Sequence, residues 1–111
     1  MTPETQCKKR LKEFLKAKED LFDGRMWWTS ISDRFHSGLP DFLVILNGCS
    51  IMIEAKSMTG KLSKIQKYIA GNVALAGAKY LVATLDAKDR FKINFEEIYP
   101  QGKGESFKWL K

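Results

Sequence analysis

The most informative pattern in the chain is a pair of apolar runs on either side of Asn47-Gly48. Both residues tolerate positive φ, and this dipeptide between apolar runs predicts a β-hairpin with a two-residue turn. Counting outward from the turn, we expect Phe42 opposite Ile53. Because both faces of this hairpin are apolar, we also expect it at the centre of a sheet, with other elements above and below it.

Apolar residues recur at helical spacing in two further segments. Residues 3–22 predict an amphipathic helix that ends at Gly24. Residues 63–76 predict a second helix, because Ser63 followed by Gln66 fits a capping box. Its small residues indicate that it lies close to a sheet. The apolar stripe predicted for this second helix is Ile65, Ile69, Val73 and Ala76.

The other apolar runs predict strands. Residues 26–31 and 79–85 are rich in β-favouring residues, and residues 91–95 alternate as an edge strand does. We expect a short helical turn at 96–99 and a last strand at 106–110. The order of hairpin, helix and strand predicts that residues 79–85 pair parallel to the hairpin through a crossover.

Composition places the chain among globular proteins. It is 44% hydrophobic and 29% charged, so we expect a single domain over residues 1–111. No apolar run is long enough to span a membrane, and the N-terminus does not resemble a secretion signal. We therefore expect an intracellular protein, either cytoplasmic or nucleoid-associated, or in the host cytoplasm if viral. Cys7 and Cys49 are too few for a disulfide framework or a zinc site.

The net charge of +6 and the pI near 9.4 favour a polyanionic partner, with nucleic acid ahead of a membrane surface. The strongest local bias lies between residues 56 and 67, which hold four lysines and no acid. These lysines contact phosphates or form an ordinary solvated surface. Trp27 and Trp28 are adjacent in a predicted strand, so their side chains point to opposite faces. The sequence assigns no defined role to either tryptophan or to His36. The candidate DNA contacts are Lys61, Lys64, Lys67 and Arg34.

Three charged residues gather at the open end of the predicted hairpin. The pair beyond Phe42 and Ile53 is Asp41 with Glu54, and Lys56 lies on the same face. Two opposed carboxylates destabilise a hairpin unless a cation lies between them. Oxygen ligands of this kind suit Mg²⁺ or Mn²⁺, and the Ala55 main-chain carbonyl could complete the coordination. A metal and a lysine together suit phosphodiester hydrolysis.

These residues also resemble a known family. Pro40-Asp41 followed by Glu54-Ala55-Lys56 resembles the PD-(D/E)xK nuclease signature. Three motifs, in this order, are similar to the virus-type replication-repair nuclease (VRR-NUC) domain: Gly38-x-Pro40-Asp41, Ile53-Glu54-Ala55-Lys56 and Gly60-Lys61-Leu62-Ser63-x-x-Gln66.

The resemblance implies a restriction-endonuclease-like α/β core, with a mixed central sheet that contains a β-hairpin and is flanked by helices. It implies a Mg²⁺- or Mn²⁺-dependent endodeoxyribonuclease of the free-standing type, acting as a homodimer on branched DNA such as Holliday junctions. Glu4 matches an acidic ligand by approximate position, whereas Lys8 stands where the family often has glutamine. The resemblance assigns Asp41 and Glu54 to the metal, Lys56 to catalysis and Gln66 to the catalytic site.

Other interpretations of the same residues remain open. Asp41 can simply begin a strand, Glu54 and Lys56 can form a surface pair, and Gln66 can serve only as a helix cap. The chain as a whole can be a basic nucleic-acid-binding module whose nuclease site has decayed. A restriction-type nuclease that reads a short sequence would share the site, but it usually needs a longer chain.

Overall fold

The computed structural model describes residues 2–31 and 38–99. Within these ranges, five strands form one sheet in the order β1-β2-β3-β4-β5. Strands β3 and β4 are parallel, and the other neighbours are antiparallel. The predicted α/β fold with a mixed sheet and flanking helices is confirmed. The elements are α1 (Pro3–Phe22), β1 (Met26–Ser30), β2 (Phe42–Leu46), β3 (Cys49–Ala55), α2 (Lys64–Leu75), β4 (Lys79–Leu85) and β5 (Ile93–Glu97).

The hairpin of β2 and β3 has the predicted turn and register. Asn47 and Gly48 both have positive φ, 50° and 81°, as a two-residue primed turn requires. Phe42 lies opposite Ile53, and every pair between them and the turn follows the predicted count. Strand β3 is the central strand of the sheet, and α2 connects it to β4 as a parallel crossover.

Helix α1 covers one face of the sheet and forms the core with it. Its buried residues Cys7, Leu11 and Leu15 pack against the inward side chains of β2, β3 and β4. The opposite face of the hairpin is only partly covered, since Leu43, Ile45 and Met52 are half-buried. The hairpin lies inside the sheet as expected, but the cover expected on this second face is incomplete, because α2 packs mainly on β4.

Helix α2 contacts the sheet through small residues. Ala70 and Ala74 are its buried positions, whereas Ile65 is 45% exposed and Ala76 is exposed. The apolar stripe predicted from Ile65 to Ala76 therefore does not coincide with the face of α2 that packs on the sheet. Alanine side chains allow the helix to approach the sheet closely, which explains the difference. No helix in the described ranges has the length and apolar character needed to cross a membrane.

Strand β5 begins and ends later in the chain than the sequence predicted. It pairs antiparallel with β4, and Glu97 lies opposite Leu81. The helical turn expected at 96–99 is therefore wrong, because pairing with β4 continues through Glu97 and a 3.1 Å ion pair joins Lys79 Nζ to Glu97 Oε1. The strand expected at 106–110 lies outside the described residues.

Strand β1 holds the two adjacent tryptophans on opposite faces, as expected. Trp27 is 56% exposed, whereas Trp28 is half-buried. The ring of Trp28 contacts that of Phe42 at a centroid distance of 6.1 Å, close to perpendicular. Trp28 is therefore part of the sheet's packing, and Trp27 is part of its surface.

Candidate active site

Asp41 is fixed at the open end of the hairpin by three hydrogen bonds. Its backbone N–H donates to the Ile53 carbonyl at 3.0 Å, and its carbonyl accepts from the N–H of Ile31 at 2.8 Å. Its carboxylate Oδ2 accepts from the N–H of Ala55 at 2.8 Å. The carboxylate therefore bends across the end of the hairpin toward β3. The fixed φ of the preceding Pro40, which is buried, helps to set this entry into β2.

Glu54 is the buried charged residue of this site, with 5% of its surface exposed. Its Oε1 accepts from Gln66 Nε2 at 3.1 Å, but its Oε2 is buried without a hydrogen-bond partner among the described residues. Burial, and then the negative charge of Asp41, raise the pKa of Glu54 to about 8. A buried carboxylate oxygen without a donor is costly, so this oxygen favours a bound cation or proton.

Gln66 joins α2 to the site and caps that helix at the same time. Its Oε1 accepts from the N–H of Ser63 at 2.9 Å, and its own N–H donates to Ser63 Oγ at 3.2 Å. The amide nitrogen remains free to donate to Glu54. The capping box therefore fixes the side chain that orients the carboxylate, and the predicted helix start is confirmed.

Helix α1 brings two charged side chains to the same place. Lys8 Nζ lies 3.2 Å from Asp41 Oδ1, and Lys56 Nζ lies 3.9 Å from Glu4 Oε1. Burial lowers the pKa of Lys8, but the charge of Asp41 and its hydrogen bond outweigh this effect and raise the pKa overall. The long Glu4–Lys56 separation leaves the Lys56 ammonium loosely held, although only 16% of its side chain is exposed.

Two buried polar side chains lie near the site, on opposite faces of the sheet. The thiol of Cys7 donates to the Ala83 carbonyl at 3.3 Å, and burial raises its pKa to about 11, so it remains a neutral thiol. Tyr80 is fully buried, and its hydroxyl has no partner among the described residues. Burial, followed by the charges of Glu54 and Asp41, raises the Tyr80 pKa. The Tyr80 hydroxyl is thus a neutral group whose pKa responds to the charges of both carboxylates.

Sequence reasoning missed Lys8 and Tyr80 as parts of this site. Lys8 was noted only as a departure from the family pattern. Tyr80 was interpreted as part of an apolar strand, although its side chain carries a hydroxyl group. The register offers a signal for it, because Tyr80 pairs with Met52, two positions before Glu54 on the neighbouring strand.

The donor set fits a Mg²⁺ or Mn²⁺ ion that retains several waters. The candidate ligands are the carboxylates of Asp41 and Glu54 and the main-chain carbonyl of Ala55, and Mg²⁺ sites usually include only one or two carboxylates. Among the described residues, no group of three His, Cys, Asp or Glu side chains is spaced to hold a metal. Glu4 lies against Lys56 instead, so its role as a ligand stays a prediction.

The predicted DNA contacts are distributed unevenly around the site. Lys61, Lys64 and Lys67 are all exposed. Lys61 and Lys67 line a cavity of about 290 Å³ that also includes Lys56, whereas Lys64 does not line it. Arg34 and His36 lie outside the described residues. Two of the four candidate contacts are therefore next to the catalytic lysine candidate.

Comparisons with known proteins give matches among solved structures. No family model matches the chain, and no curated protein matches it. One solved structure is 25% identical over 66% of this chain and 82% of its own length, with a TM-score of 0.49. That structure is described as a "VRR_NUC domain".

Proposed function

We propose that this chain is a metal-dependent endonuclease that hydrolyses phosphodiester bonds in DNA. The observation that carries the proposal is the buried carboxylate of Glu54, which lies beside Asp41. Its Oε2 has no hydrogen-bond donor in the described part of the chain. An arrangement of two carboxylates without full compensation is expensive for folding alone. It becomes favourable when a divalent cation and a substrate phosphate occupy the space next to it.

Each side chain of the site has a distinct task in this reaction. Asp41, Glu54 and the Ala55 carbonyl would hold the metal, which supplies polarisation of the phosphate and a lower pKa for water. The Lys56 ammonium neutralises negative charge that develops on the phosphate oxygens. Gln66 holds the Glu54 carboxylate in one orientation. The Ala55 N–H does the same for Asp41.

We further propose that the substrate is branched DNA, such as a Holliday junction, and that the chain acts as a homodimer. The support for both is the resemblance to free-standing nucleases of this type. Basic character adds to the DNA assignment, since the net charge is +6. The alternative is a non-catalytic DNA-binding module with a decayed site, and the presence of Asp41, Glu54 and Lys56 together speaks against it.

The test is a cleavage assay on four-way junctions, flaps, nicked duplex and linear duplex with Mg²⁺ or Mn²⁺. We expect Asp41→Asn and Lys56→Met each to lower the cleavage rate by about 100-fold or more. The first change weakens the hold on the metal, and the second removes the ammonium that offsets negative charge in the transition state. DNA binding and the thermal unfolding midpoint should change little. Lys12→Ala, which alters an exposed lysine of α1, is the matched control and should cut normally.

Two results would contradict the proposal. The first is equal cleavage in excess EDTA, which would exclude a metal-dependent reaction. The second is DNA binding without cleavage of any substrate in the panel, which would favour the decayed module. The solution mass, measured on the same preparation, tests the homodimer.

A further inference from the structure

A continuous trough leads from the active site along helix α2. The cavity of about 290 Å³ beside Lys56 includes Lys61, Lys67 and Tyr99 in its lining. A second cavity, of about 380 Å³, is lined in part by Lys67, Tyr68 and Tyr99. The two share Lys67 and Tyr99, so they form one surface, which we call the α2 trough. Each cavity approaches the scale of small-ligand sites, about 300–1,000 Å³.

Two aromatic rings of the α2 trough are exposed. Tyr68 is 66% exposed and Tyr99 is 49% exposed. Single exposed apolar residues are ordinary on protein surfaces, but these two line one surface together with lysines. The aromatic rings are therefore part of a combined feature and need a common explanation.

The backbone at Tyr99 supports a defined position for its ring. Tyr99 has a φ of 54°, in the left-handed region that residues with a Cβ rarely adopt. The preceding residue is fixed to the sheet, because the N–H of Ile98 donates to the Tyr80 carbonyl at 2.9 Å. Strained backbone of this kind concentrates at ligand-binding and catalytic positions.

The charge of the trough selects the kind of ligand. Lys56, Lys61 and Lys67 line it together with a single acid, Glu96. Lysines that follow a backbone and aromatic rings that accept bases are the two components of single-stranded nucleic-acid sites. A fully paired duplex offers phosphates but no free base faces to the tyrosines.

We propose that the α2 trough binds unpaired nucleotides of the DNA substrate, with phosphates along Lys61 and Lys67 and bases stacked on Tyr68 and Tyr99. This inference rests on the proposed function, since it takes the trough to hold the strand next to the scissile phosphate. It follows that branched substrates with an unpaired segment beside the cut, such as flaps, are preferred over fully paired linear duplex.

The first test uses the unaltered protein and two fluorescent oligonucleotides in EDTA. One is an ordinary single strand, and the other has the same length but an abasic tract that keeps the phosphates. We expect fluorescence anisotropy to show binding about 5- to 100-fold weaker for the abasic strand, because stacking is worth about 1–3 kcal/mol per base. Equal affinity for the two strands would overturn the proposal.

The second test changes the rings. Tyr68→Ala and Tyr99→Ala should each weaken binding to the ordinary single strand by about 5-fold or more, with duplex affinity changed less than about 2-fold. Tyr68→Phe and Tyr99→Phe should restore binding, since the ring is kept. The control is Phe91→Ala, which removes a 75% exposed ring beside Arg10, outside the trough. The proposal would be contradicted if Phe91→Ala weakened single-strand binding as much as the tyrosine variants do, or if those variants lost as much affinity for duplex. A change in their solution mass would also contradict it, because it would mark the trough as a protein interface.

Binding in EDTA separates this inference from the proposed function. A protein that discriminates against the abasic strand but never cuts DNA would refute the nuclease and leave the stacking surface established. A protein that cuts DNA with metal but binds both strands equally would refute the α2 trough and leave the nuclease established.

Discussion

At the scale of single residues, Glu54 shows how folding and chemistry oppose each other. The fold places a carboxylate where 5% of its surface is exposed and gives one of its oxygens no donor within the described ranges. A site that served stability alone would fill this position with an apolar side chain or a paired one. A bound cation would offset the free-energy cost of burying this carboxylate. Without the metal, the buried carboxylate makes the stability of the protein depend on pH.

Stability without metal should therefore fall as the pH rises from about 5 to about 8. The pKa of Glu54 is raised from 4.5 to about 8 in the folded chain. Between these values the folded chain keeps a proton that the unfolded chain has released, so raising the pH favours unfolding. Thermal unfolding in EDTA measures the effect, and Glu54→Gln is the control because its amide does not titrate. If the difference between the two proteins is independent of pH, the raised pKa is wrong.

At the scale of elements, the hairpin was predictable because its information is local. Asn47-Gly48 fixes the turn, the turn fixes the register, and the register brings Asp41 and Glu54 to the same end. The contact of Lys8 with Asp41 was not predictable, because it depends on the angle at which α1 crosses the sheet. The same holds for Tyr80, whose polar atom becomes notable only when β4 lies beside β3.

The packing of α2 was predictable only in part, and Gly38 explains why. The apolar stripe identified Ile65 and Ile69, but these two residues lie against the chain at Gly38 while Ala70 and Ala74 face the sheet. Gly38 has a φ of 82°, and an added Cβ would lie 2.8 Å from Ile65 Cγ1 and 3.1 Å from Ile69 Cδ1. The glycine of the first motif therefore allows α2 to approach the segment that leads into Asp41.

Gly38→Ala should lower the free energy of unfolding by about 1–3 kcal/mol, because it adds both backbone strain and steric overlap. Urea unfolding measures the change. The matched control is Gly71→Ala, which lies within α2 with no atom within 4 Å of the added Cβ. Alanine is the better helix former, so this variant should be about 0.5–1 kcal/mol more stable. A Gly38→Ala protein as stable as the unaltered chain would show that α2 does not pack on this segment.

At the scale of the whole molecule, exposed lysines and the proposed catalytic lysine line the same cavity beside α2. The chain carries a net charge of +6, and Lys61 and Lys67 line the cavity that contains Lys56. Charge alone is a weak argument, because a basic surface also serves solubility. The distribution is more informative, since lysines that share a cavity with Lys56 can hold a polyanion whose phosphates would otherwise be repelled by Asp41 and Glu54.

DNA affinity should therefore fall steeply with salt, with a slope set by the number of phosphate contacts. Each contact contributes about 0.7 to 0.9 to the slope of log affinity against log salt, because binding releases condensed counterions. Lys67→Ala should reduce this slope by about that amount, whereas Lys12→Ala, at an exposed position of α1, should leave it unchanged. Anisotropy titrations in EDTA over a range of NaCl concentrations measure both slopes. A flat salt response, or equal slopes for the two variants, would show that the lysines beside α2 do not contact DNA phosphates. The carboxylate site would then have no basic surface to hold its substrate.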